Sequence, residues 1–335
     1  MLQQIGTVGT VMLILGLFGD TSVELRYPVP AKKDLSKYPR SAVIEFEGTG
    51  GNRVRSELEA KLLDAKVNGV PYFTLVSRDR LDKVLQEQSK GQSVRFDERS
   101  TATIGKLLGA DALVTGMVTE YEADGRRDIE RREHTEGKKE KQRTVTETYY
   151  CASREARVRA DVKFIDAKTA AVVAAVPLAG TASDGGCMEG SYPSTASDDA
   201  LFDEALSKIG NELRILIAPH DVVRSVKLRT KDKDKEVSER LKRGAEYAKS
   251  GGWDMAIEEW EEAVKQKPES APAHYNLGVA REAEGQLERA QEHYKKAARI
   301  DPDKLYVGAV TGINQRIQMA DELQRQMEGR EAGAD

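Results

Sequence analysis

The sequence predicts an α/β (α+β) domain, a mixed sheet flanked by helices, followed by an all-α array of helical hairpins. Three observations carry this. Between Arg154 and Ile165, Ala156, Val158, Ala160, Val162 and Phe164 alternate with Glu155, Arg157, Arg159, Asp161 and Lys163, the period of a strand with one buried face. Upstream, strand-like and helix-like segments take turns. Downstream, from Val237, small and aromatic residues recur at a spacing of 34 residues.

Taken in order, residues 1–22 form a signal-like apolar segment. Val8 to Phe18 is uncharged and too short to span a bilayer, and it has neither a preceding Lys or Arg nor an A-x-A-like cleavage site. It reads as an export signal, an uncleaved anchor or an ordinary buried segment. No Cys follows it, so no lipid-acceptor site is assigned. Residues 23–40 read as a proline-containing linker.

The α/β domain spans 41–228. Ser41 to Phe46 is a short strand, and Gly48, Gly50 and Gly51 turn it into a helix whose Val54, Leu58, Leu62 and Ala65 share a face. Phe73 to Val76 is a second strand, after which Ser77 caps a helix bearing Leu81, Val84 and Leu85. Ile104, Leu107 and Leu108 mark a further helix ended by Gly109, and Ala112 to Thr119 is strand-like. Ala170 to Leu178 returns beside 154–165 as a hairpin partner. Asp199 opens a helix with Phe202, Leu206, Ile209, Leu213 and Leu216 on one face, Pro219 stops it, and Val222 to Leu228 is the last strand. Residues 229–236 are a charged, solvated connector.

The helical array occupies 237–327, as two repeats (237–270 and 271–304) and a capping helix, with a tail at 328–335. Gly244, Ala256, Ala263 and Pro268 recur as Gly278, Ala290, Ala297 and Pro302, and Trp260 recurs as Tyr294. This pattern resembles the tetratricopeptide (TPR) family. Small residues there let the helices of a pair approach, the aromatic fills the gap, and the proline ends the second helix. The resemblance places a partner-binding concave face on Leu241, Ala245, Tyr275, Val279, Ala309 and Ile313. That strip suits a protein or peptide partner, and equally the protein's own first domain. Of the clamp that some members use for a C-terminal carboxylate, Asn276 alone persists, so chaperone tails are not expected ligands.

Four segments of the first domain, AVIEF from Ala42, LVSRDRL from Leu75, IGKLLGADALVTG from Ile104 and VKFIDAKT from Val162, resemble the CsgG/HfaB-like family of curli-secretion and holdfast-anchoring envelope proteins. In its pore-forming members two hairpins close into a membrane barrel. Here they fall on 124–153 and 178–197. Arg126 to Arg143 holds one strongly apolar residue, Ile129, and puts basic residues on both alternating faces, at about 2 to 4 kcal/mol each near mid-bilayer. The expectation is therefore a relative without the pore, in which 124–153 is a solvated charged loop or binds an acidic surface, and glycine-rich 178–197 is a loop.

The 335 residues, 39% apolar and 32% charged with net charge −4, suit two globular domains and give no electrostatic footprint for nucleic acid. Cys151 and Cys187 flank the hairpin three residues out of the register that starts at Ile165 and Ala170. A bulge would absorb that offset and permit a disulfide in an exported protein, the alternative being two free thiols. Neither cysteine nor any of the four histidines has metal-ligand spacing, and the glycine turn lacks the third glycine of a dinucleotide fingerprint. No metal, cofactor or catalytic residues are expected, so the chain is not expected to be an enzyme.

The expected function is a non-enzymatic, exported bacterial cell-envelope scaffold or adaptor, periplasmic or outer-membrane associated. Partners bind through the repeats, and homo-oligomers form through the CsgG-like domain. Any membrane association is through the N-terminal segment. The alternatives are a component of a CsgG-like secretion or surface-structure assembly apparatus, and a regulator of peptidoglycan synthesis resembling penicillin-binding-protein activators.

Overall fold

The computed structural model describes residues 21–67, 69–89, 98–138 and 142–334; the signal-like run and the side chain of Leu85 lie outside the described residues. Chain order gives β1 (Ser22–Val29), β2 (Arg40–Glu47), α1 (Gly51–Asp64), β3 (Lys66–Val67), β4 (Val70–Pro71), β5 (Thr74–Leu75), α2 (Arg78–Ser89) and α3 (Glu98–Leu108). Three long strands follow, β6 (Ala112–Glu136), β7 (Arg143–Asp166) and β8 (Val172–Glu189). Then come α4 (Asp198–Ile217), β9 (His220–Lys227), α5 (Lys235–Lys249), α6 (Trp253–Gln266), α7 (Ala271–Ala283), α8 (Leu287–Ile300) and α9 (Lys304–Ala334). The chain forms two units: Ala31–Pro219 with the residues from Gln326 on, and the segment ending at Pro30 with His220–Arg325.

The first unit is built on a sheet ordered β5-β2-β6-β7-β8. β2 runs parallel to β5 and β6, and the remaining pairs are antiparallel, so the sheet is mixed. On one face Val43, Phe46, Val158 and Val162 pack with Val54, Leu58 and Leu62 of α1 and Leu206, Ile209 and Leu213 of α4. On the other, Ala42, Ile44 and Leu113 meet Leu81, Ile104 and Leu108 of α2 and α3. The glycine turn is a packing device. Gly50 has φ 78° and lies under the Tyr121 ring, and a Cβ on Gly51 would strike the Phe46 carbonyl.

Two expected loops are sheet. β6 continues unbroken to Glu136 and pairs with β7 as far as Arg143, so 124–136 and 143–153 are the two strands of a long antiparallel arm. Thr144, Val145, Thr146, Thr148, Tyr149 and Tyr150 are strand formers, and strand propensity outweighs high charge where opposite signs meet across the ladder. Likewise β8 runs through 178–189. Its glycines mark close approaches: a Cβ on Gly180 would meet the backbone of Ala205, and one on Gly185 the backbone of Ala152 and Ser153.

In the second unit, α5 with α6 and α7 with α8 form two helical hairpins, and α9 follows them. Ala256, Ala263, Ala290 and Ala297 are fully buried. A Cβ on Gly244 would fall inside the Trp260 indole, and one on Gly278 inside the Tyr294 ring, which is why glycine and aromatic repeat together. α6 and α8 end just before Pro268 and Pro302.

The boundaries differ from the expected ones. β1, inside the supposed linker 23–40, pairs antiparallel with β9 from Ser22↔Lys227 to Val29↔His220, so 222–228 belongs with the repeats. Partners so distant in sequence leave no local mark. The connector 229–236 is only partly solvated: the buried Asp232 carboxylate accepts from Ser270 Oγ at 2.7 Å and pairs with Lys267. Burial alone would raise its pKa, but the Asp234 N–H, Lys267 and Ser270 hold it low. The supposed tail is helix. Gln326 exchanges hydrogen bonds with the Ala31 backbone (2.9 and 3.0 Å), and Arg330 donates to the carbonyls of Tyr72 (3.0 Å) and Pro71 (2.6 Å).

Candidate functional site

The first candidate is the concave face of the repeats. Leu241, Ala245, Tyr275, Val279 and Ile313 are buried and Ala309 is partly buried, all in one core with Val23 and Leu25 of β1 and Val226 of β9. The ribbon's inward residues alternate, Val23 opposite Val226 and Leu25 opposite Arg224, so one face lies on the helices. The six residues assigned to partner binding are therefore covered by the chain itself. The cover is neither a partner nor the α/β domain: it is β1 and β9, strands of the repeat unit itself.

Polar contacts fix the ribbon. Arg224 donates to Glu282 Oε1 (2.7 Å), whose Oε2 accepts from Tyr294 Oη (2.9 Å). Arg316 stacks 4.0 Å above the Tyr27 ring. Asn276, the residual clamp residue, holds the backbone beyond β9 instead: its Oδ1 accepts the Arg229 N–H (2.9 Å) and its Nδ2 donates to the Arg229 carbonyl (2.7 Å). Burial pushes the Tyr275 hydroxyl up to about 12. A cavity of about 390 Å³, lined by Arg224, Tyr275, Tyr294, Lys304 and Ala309 among others, remains in this groove.

Nearby, His274 and His293 face each other with Nδ1 atoms 3.3 Å apart, and His274 Nε2 donates to the Pro268 carbonyl (3.0 Å). Burial first, then the neighbouring His274, Lys296 and Arg281, lower the His293 pKa to about 4. The pair is legible in the sequence only as two histidines on successive repeat helices.

The second candidate is the arm. Cys151 stands directly opposite Cys187 on β8 and the two form a disulfide. The register meets there because β8 pairs Ile165 with Val172 and then shifts at Phe164. The arm's two faces differ. On one, Arg157 bridges Glu120 (2.9 Å), Glu155 (3.1 Å) and Asp124, and Arg132 pairs with Glu130 (2.8 Å). On the other, Ile129, Tyr150 and Met188 lie in one cross-strand row, with the Tyr192 ring 5.2 Å from Tyr150. Sequence reasoning missed this row because it places all of 124–153 and 178–197 in loops.

The sulfurs of Cys151 and Cys187 lie close to a Glu130 carboxylate oxygen, but in the disulfide they supply no thiolate for a metal. Beside the glycine turn, a cavity of about 550 Å³ is lined by Glu45, Glu47 and Arg53, and Arg53 is held by Asp199 (3.0 Å) and Asp203 (2.6 Å).

Comparison with known proteins finds likenesses in both halves of the chain. Residues 52–187 match the family model described as curli production assembly/transport component CsgG, and residues 242–325 match one described as a domain of unknown function (DUF6340). No curated protein matches the chain. Among solved structures, the second TPR of Spaghetti (RPAP3), bound to an HSP90 peptide, is 16% identical and matches 29% of this chain and 90% of that one, with a TM-score of 0.25. A MamA double mutant (RS-1) is 26% identical over 30% of this chain and 59% of its own, TM-score 0.24. The PelC dodecamer from Paraburkholderia phytofirmans is 15% identical over 59% of this chain and 99% of its own, TM-score 0.24. The chain thus carries a match to the CsgG family model over 52–187, followed by a series of helical hairpins.

Proposed function

We propose that this is a non-enzymatic, exported bacterial cell-envelope scaffold that assembles through the edges of its α/β sheet, its repeats being closed by their own ribbon. One observation carries the reading: the sheet has two long open edges. β2 leaves β6 at Met117, so β6 from there to Glu136 is paired on one side only, and β8 is an edge strand along its whole length. Rows of unpaired backbone donors and acceptors are templates for another strand. Joining β8 of one copy to β6 of the next is a heterologous contact that closes into a ring or runs on as a filament. The Cys151–Cys187 disulfide supports an oxidising compartment, and the CsgG match supports the envelope. Sedimentation velocity of the full chain without detergent tests this: a species larger than a monomer, growing with concentration, is expected. A monomer at every concentration would refute it.

The second reading, a component of a secretion or surface-structure assembly apparatus, is favoured by the same family match. It differs in requiring membrane insertion, which detergent-dependent ring formation would reveal.

A further inference from the structure

We propose that one face of the arm docks on an anionic lipid surface, lying in the interface and not spanning it. Direct cross-strand partners share a face, so Ile129, Tyr150 and Met188 project together, and Arg127 and Arg131 flank Ile129 at alternate positions of β6 on that same side. Ile129 is 50% exposed, Met188 45% and Tyr192 37%, so these groups meet solvent on a sheet whose buried face otherwise ends at Ala152 and Ala182. Arg127 lies 5.2 Å over the Tyr192 ring. Among the described residues, neither Arg127 nor Arg131 has a carboxylate within ion-pair distance.

The opposite face has the reverse character. Asp128, Glu130, Glu136, Glu147 and Glu189 project there, several already paired with Arg132, Arg143 or His134. The arm is thus a flat ribbon with an acidic, ion-paired side and a side where an apolar row is bordered by uncompensated arginines. A row of this kind fits the boundary between headgroups and acyl chains: tyrosines and arginines keep polar ends at the phosphates while the isoleucine, methionine and ring faces sit below. A second copy presented by the same face would set Arg127 and Arg131 against their own equivalents, which disfavours that occupant. Glu133 beyond the row and Asp184 before it bound the docking stretch to the interface. The disulfide sits on the back of the row, one residue from Tyr150 and one from Met188, and holds β8 beside β7 so that the row stays assembled.

The inference does not depend on edge-to-edge assembly, because strand edges and sheet face are different surfaces. The full chain is tested for partitioning onto phosphatidylcholine vesicles with and without phosphatidylglycerol. The double variant R127Q/R131Q is expected to lose about 30-fold in partitioning onto the anionic vesicles, at roughly 1 kcal/mol per arginine. The double variant R126Q/R132Q on the other face is expected to lose far less. The N-terminal segment is common to every variant. In a second measurement, photoreactive benzoylphenylalanine replaces Ile129 or, as control, Glu130. Lipid adducts at 129 and not at 130 support the proposal. Equal loss for both double variants, protein adducts in place of lipid adducts at 129, or no lipid adduct there would each overturn it.

Discussion

Two antiparallel ribbons in this protein show opposite ways of holding a pair of strands. The β1–β9 ribbon buries Val23, Leu25 and Val226 against helices and is fixed by Arg224, Arg229 and the Tyr27–Arg316 stack. The β6–β7 arm is exposed on both faces over most of its outer half and is held by ladder hydrogen bonds, cross-strand ion pairs and one disulfide. Isolated hairpins are marginal in water, so a ribbon needs either a packing surface or a staple. Each of these has one.

The largest effect should come from charging the packed ribbon's bed. Val279→Asp puts an unpaired carboxylate in a fully buried site and is expected to cost about 4 kcal/mol or more, whereas Thr144→Asp on the exposed arm should change stability by less than about 0.5 kcal/mol. Both tryptophans, Trp253 and Trp260, lie in the repeats, so their fluorescence during denaturant unfolding reads Val279→Asp, and hydrogen exchange along 143–153 reads Thr144→Asp. Equal effects would erase the contrast.

Next is the staple. Removing it with Cys151→Ser and Cys187→Ser should cost about 4 kcal/mol on the loop-entropy model. The loss should appear as faster hydrogen exchange at 149–153 and 185–189 with no change in the tryptophan transition. A shifted tryptophan transition would mean that the two regions are not independently held.

A smaller effect belongs to the repeats alone. His293 is neutral in the fold, its pKa lowered to about 4 from the ordinary imidazole value of 6.5. Between those values the unfolded chain binds more protons than the folded one, so stability is complete above pH 6.5 and declines as pH falls towards 4. After discounting for its partial exposure, the loss is about 2 kcal/mol. His293→Gln should flatten the pH dependence of the tryptophan transition between those limits. The smallest effect is expected for Arg157→Ala, whose partners on the open arm are solvated; no resolvable midpoint shift should follow at physiological salt.

What the sequence made legible follows from where its signals are local. The 34-residue repeat is local contact chemistry, a glycine beneath an aromatic, and it reads directly as Gly244 with Trp260 and Gly278 with Tyr294. The strand over 154–165 has a one-sided core and its alternation is plain. The arm was not legible because one face of β6 is charged and the other sets Ile129 between Arg127 and Arg131, so no hydrophobic period appears, and Gly180 and Gly185 look like loop residues until the backbone beside them is seen. The groove residues could be named, but not their cover. That depended on pairing Ser22–Val29 with His220–Lys227, which no window of sequence contains.

The β1–β9 pairing also makes Ala31–Pro219, the body of the α/β unit, an insertion within the helical one. A chain emerging from its N-terminus exposes Val23 and Leu25 long before the strand that pairs with them has been made. The repeats therefore cannot complete their core first. Pairing at this separation closes late, so the strand Ser22–Val29 stays without its partner until His220–Lys227 has been made.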